Sequence, residues 1–70
     1  MVIVTSILKH PVGAIVTHDM DIIGVKHPNV TFQIMRIATK EEYHDYCVEH
    51  YPEHADQIEY FPYFYEISVD

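Results

Sequence analysis

Apolar and polar residues alternate in two stretches of this chain, and between them the period changes. Val30, Phe32 and Ile34 alternate with Thr31 and Gln33, the period of a half-buried strand. The period breaks at Thr39. Thr39 and Glu42 have the spacing of a capping box, in which each side chain serves the other's backbone N–H. Ala38 and Tyr43 stand where a weak hydrophobic staple would sit. The pattern therefore predicts a strand over Val30–Ile37 that feeds a helix from Lys40 to about Tyr51, where Pro52 stops it. Tyr63, Tyr65, Ile67 and Val69 alternate with Phe64, Glu66, Ser68 and Asp70, which predicts a final strand with one buried face.

Upstream, Val2–Leu8 is apolar on both alternations and suits a central strand. Lys9-His10-Pro11 ends it, because proline cannot donate to a ladder and restricts the residue before it. Val12–Thr17 reads as a second strand with Gly13 as a bulge. His18–Asp21 reads as a polar turn. Ile22–Val25 reads as a short third strand, and Lys26-His27-Pro28-Asn29 as the next turn. Pro52 opens a further short helical turn through Gln57. The order is ββββαβ: a β-meander, one α-helix and a closing strand. Short links favour antiparallel neighbours. The expected fold is a single α+β domain over residues 1–70, a small antiparallel sheet packed with one helix. An SH3-like barrel with an inserted helix is the second architecture this order allows.

Size sharpens the picture. Seventy residues bury only about 60% of the unfolded surface, so the core is small. One cysteine excludes an intrachain disulfide and, with no secretory segment, fits the reducing cytoplasm. Oligomerisation is another device open to so small a chain. The apolar N-terminus lacks a basic leader and Lys9 interrupts it, so it reads as strand rather than as a membrane span. The net charge is −7, which argues against direct nucleic-acid binding and against anionic membranes. The charge is also uneven. Residues 1–40 hold all four basic residues against Asp19 and Asp21, giving +2. Residues 41–70 hold nine acids and no Lys or Arg, giving −9.

On a helical wheel, Glu41, Glu42, Asp45 and Glu49 fall on one arc, and Tyr43, Tyr46, Cys47, His50 and Tyr51 on the opposite one. The aromatic arc is the expected core face. The acidic arc has no basic residue at i+3 or i+4, so it repels itself by a few tenths of a kcal/mol per like pair, roughly. Glu53 and Asp56 extend it. Such a strip is either a solvated face or a surface that meets a basic host protein as a run of phosphates would. A second candidate is the repeated Lys-His-Pro at Lys9, His10 and at Lys26, His27. In a meander both turns would lie at one end and would hold an anionic small ligand, such as a nucleotide signal. The same tripeptide also serves as a plain strand terminator. His44, Cys47, His50 and His54 lack the pattern of a zinc site. A Cys–His nucleophile would need an orienting group and an oxyanion site, and nothing marks either. No enzyme activity, cofactor or metal is expected.

Ala38-Thr39-Lys40-Glu41-Glu42-Tyr43-His44-Asp45-Tyr46-Cys47, closed by the strand 63–70, resembles the C-terminal half of small bacteriophage accessory proteins. These carry a β-meander, then a "T-x-E-E-Y/W-x-x-Y-C" helix and a short terminal strand. The resemblance covers about half of the chain. It implies a viral protein of the host cytoplasm that blocks a host defence factor; a structural or morphogenetic piece of a virion is the other phage role.

Overall fold

The computed structural model describes residues 2–22 and 25–69. It contains β1 (Val2–Ser6), β2 (Ile15–Ile22), β3 (Val25–Ile37), α1 (Lys40–His50), a 3-10 helix (Pro52–Gln57) and β4 (Tyr63–Val69). The strands form one antiparallel sheet in the order β1-β4-β3-β2. The expected α+β class, an antiparallel sheet with one helix, is what the chain adopts. Three strands rather than four precede the helix among the described residues. Of the expected strand 22–25, Ile22 ends β2 and Val25 begins β3, while 23 and 24 lie outside the described residues. The final residue of the predicted closing strand, Asp70, lies outside them as well.

Lys26-His27-Pro28-Asn29 is not a turn. It lies within β3, with Lys26 opposite Asp21 and His27 opposite Met20. The register shifts between His18 and Met20, opposite Pro28 and Asn29. Asn29 has φ +55, a left-handed conformation that asparagine tolerates better than most residues. Its N–H donates to Asp19 Oδ1 at 2.9 Å. Proline has no N–H to give the ladder, so the strand bulges past it and the side chain of Asp19 takes up the displaced donor.

β1 also departs from expectation. Among the described residues it pairs only with β4 and stands at the sheet edge. Its two-sided apolar pattern has a different cause. Ile3 faces α1, in a cluster with Ala38, Tyr43 and Cys47. Val4 faces the other way, in a cluster with Phe32, Ile34, Tyr65 and Ile67. Both faces of β1 are covered, so an edge strand carries the composition of a central one.

The inner places belong to β3 and to β4, the last of the described strands. Tyr65 and Ile67 are buried, as the alternation predicts, while Tyr63 and Val69 at its ends are exposed. The link from β1 to β2 is tied to the face opposite α1. The His10 N–H donates to the Tyr65 hydroxyl at 2.8 Å. The Gly13 N–H donates to the Ile34 carbonyl at 2.7 Å. Gly13 adopts φ +91, a conformation that costs any other residue backbone strain.

Candidate functional site

The capping box forms. Glu42 N–H donates to Thr39 Oγ1 and Thr39 N–H donates to Glu42 Oε1, both at 3.1 Å. These bonds place the first turn of α1 and so fix which side chains face the sheet. Tyr43 and Cys47 are buried and Tyr46 half-buried. Tyr43 also meets Phe64 of β4, with ring centroids 5.6 Å apart. His50, expected on the core face, is exposed; its ring rests on Tyr46 with centroids 4.4 Å apart. Tyr51 is half-buried and caps the helix end, its N–H donating to the Cys47 carbonyl at 2.7 Å.

On the outer face, Glu41, Asp45 and Glu49 are exposed. Glu42 is not equivalent to them. Its carboxylate accepts from Arg36 Nη1 at 3.1 Å and also binds Nη2. Arg36 Nε in turn donates to Glu66 Oε1 at 2.9 Å. The wheel shows no basic partner because the partner comes from β3. A register shift between Ile34 and Arg36 lies just before it. These hydrogen bonds hold the Glu42 carboxyl below the usual carboxylate range and raise Arg36 above its ordinary value. Glu53 and Asp56 are exposed on the 3-10 helix, and Glu59 follows them on the surface. Among the described residues the two ion pairs are both made by Arg36. Glu41, Asp45, Glu49, Glu53 and Asp56 thus present charge with no ion-pair partner among those residues.

The two Lys-His-Pro segments do not share a tip. Lys9 and His10 follow the end of β1, which lies beside the start of β4 and hence beside the end of β3. Lys26 and His27 lie near the start of β3, inside the strand. Lys9, Lys26 and His27 are exposed; His10 is half-buried, its ring 5.9 Å from that of Tyr65. The paired anion tip expected from a meander is therefore not assembled.

The cysteine and histidines of α1 go to separate places. Cys47 is buried in one cluster with Tyr43, and burial pushes its thiol up. Burial likewise pushes the Tyr43 phenol up. His44 instead bonds the Tyr60 hydroxyl, 2.6 Å from its Nδ1, and Lys40 lies over the same tyrosine ring at 4.7 Å. Among the described residues no three His, Cys, Asp or Glu side chains converge as a metal site would require.

A feature the sequence did not reveal is a cleft of about 250 Å3 along β1. Residues Ile3 to Ile7 line it together with Tyr43, Tyr46 and Cys47 of α1. His18, Asp19 and Met20 of β2 stand in its wall. It depends on strand order, which leaves β1 and β2 as the two edges of the sheet. The only local signal was the two-sided apolar pattern of β1. No described helix is long and apolar enough to cross a membrane. No protein-family model, curated protein or solved structure matches the chain.

Proposed function

We propose that this chain is a non-enzymatic binding module that meets a basic surface of a partner protein with the outer face of α1 and blocks that surface. The observation that carries the reading is the exposed series Glu41, Asp45, Glu49, Glu53 and Asp56, with no ion pair among the described residues. Arg36 neutralises Glu42 and so holds the helix on the sheet, but it leaves the outward carboxylates unbalanced. A face that pays like-charge repulsion along a helix gains most when a basic surface relieves it. The likeness of the C-terminal half to phage accessory proteins supports a host factor as that partner, and a basic nucleic-acid groove has the matching charge. The anion-sequestering alternative has lost its paired tip, and no specific observation favours a virion role.

Electrostatic steering sets the test. Association should exceed the ordinary scale of about 10⁵–10⁶ M⁻¹s⁻¹ at low salt. It should slow as salt rises, because screening shortens the reach to about 8 Å at physiological ionic strength. Asp45→Lys with Glu49→Lys should slow association with a partner captured from host lysate and leave the free domain folded and, if changed, more stable. A double variant that is folded yet associates at the wild-type rate, at low and high salt alike, would reduce the acidic arc to a solvated face.

A further inference from the structure

β1 has β4 on one side, and no described strand pairs its other side. An edge strand leaves the N–H and C=O of alternate residues unpaired and so offers a template for another chain. Here the template lies in the cleft: Ile3, Val4, Thr5 and Ser6, consecutive along β1, all line it. The cleft thus follows a strand edge rather than surrounding a single side chain. The side chains of β1 point alternately to the two faces of the sheet. Ile3 leads to Tyr43 and Cys47 on the α1 side, and Val4 to Phe32 and Tyr65 on the other.

We propose that this cleft takes an extended segment of the basic partner as an added strand beside β1, a short apolar run flanked by Lys or Arg. The charge assigned to that segment rests on the acidic-face reading; the strand addition rests on the edge and the cleft. Main-chain hydrogen bonds to β1 would supply register, and the aromatic walls would take side chains from alternate positions. The apolar run fits a lining in which tyrosines, phenylalanines and aliphatic residues predominate. The basic flanks fit the acids at its border. Asp19 stands in the β2 wall. Glu49 is three residues from Tyr46 on α1, hence on a neighbouring row of the helix surface.

The probe is acetyl-Arg-Val-Ile-Val-Arg-amide, with the five-residue length of β1. Two controls accompany it: a twin N-methylated at its three central residues, and a twin with Glu in place of Arg. Binding should slow amide hydrogen exchange in β1 at the residues that do not face β4. Loss of the backbone donors should weaken binding about tenfold or more, and the Glu-flanked peptide should bind more weakly still. Strand addition is overturned if the methylated twin binds as well as the parent, which would mark a cleft for apolar side chains or small hydrophobes alone. It is also overturned if the parent binds without slowing exchange in β1, or fails to bind at millimolar concentration. Asp45→Lys with Glu49→Lys separates the two readings. Slowed β1 exchange with unchanged affinity in that variant keeps strand addition and removes the acidic face. Weakened affinity with no β1 protection in either protein keeps the acidic face and removes strand addition.

Discussion

β4 and the outer half of the β2–β3 hairpin are both antiparallel strand, the latter bulged at Pro28 and Asn29, yet they stand very differently toward the core. β4 has a strand on each side and Phe64 against α1, and its Tyr65 and Ile67 are 2% and 3% exposed. The last pair between β3 and β4 is Phe32 with Val69. Beyond it, among the described residues, β3 has β2 alone, and its residues from Lys26 to Asn29 are exposed. Pairing therefore sets the backbone conformation in both places, while burial sets how much each contributes. The hairpin end should open locally at low cost, whereas β4 should exchange its amides only when the whole domain unfolds.

The largest effect expected is at Ile34, which lies in the β4-centred cluster and is 0% exposed. Ile34→Ala should cost about 2–5 kcal/mol, the range for a large-to-small change in a core. A domain of this length has roughly 4–10 kcal/mol in all, so much of its stability should disappear in urea titration. Native-state hydrogen exchange should show faster exchange throughout β4 and an unchanged rate in residues 26–29. Equal acceleration in both regions would mean that the hairpin end opens only with the domain, and the contrast would fail. Thr39→Ala comes next, at about 1 kcal/mol for the lost cap, read from the urea midpoint.

Glu42→Gln tests the link between helix and sheet without removing the cap, because glutamine also fits the third helical position of a capping box. The folded carboxyl of Glu42 is held low, chiefly by its hydrogen bonds from Arg36. Its contribution is therefore present above the ordinary glutamate value of about 4.3 and is lost as pH falls through the lower folded value. Glu42→Gln should flatten the acid limb of a stability–pH curve and leave the slope at neutral pH unchanged. An acid limb identical to wild type would show that the Arg36 pair contributes nothing to folding.

The parts of this fold that were legible in the sequence are those determined within a few residues. The Thr39–Glu42 box, the buried pair at Tyr65 and Ile67 and the stop at Pro52 follow from local hydrogen bonding, period two and a missing N–H. What was not legible depends on residues far apart. Pro28 and Asn29 mark an irregularity, but whether the chain reverses there or bulges depends on β2 as partner. β1 has the composition of a central strand because layers cover both its faces, a fact that only tertiary packing creates. Arg36 reaches Glu42 from outside the helix, so the wheel could not show the pair. Of the candidate site, the outward carboxylates were legible from the wheel, and the cleft was not, since it needs β1 and β2 at opposite edges.

The smallest effect should come from Asp19→Ala, and that smallness is informative. Asp19 Oδ1 accepts the Asn29 N–H at the bulge, and both residues are exposed. In the variant, water replaces the carboxylate as acceptor, so no buried donor is left unpaired and the desolvation penalty of a lost partner does not arise. Global stability should change by no more than about 0.5 kcal/mol, as for surface substitutions generally. The Asn29 amide itself should exchange faster, because its bond to a fixed side chain gives way to solvent. β4 amides should be unaffected. A loss in the urea midpoint as large as that of Thr39→Ala would show that the bulge holds β2 in register for the whole sheet. In that case the hairpin end belongs to the same cooperative unit as β4, and the difference between the two regions is one of exposure alone.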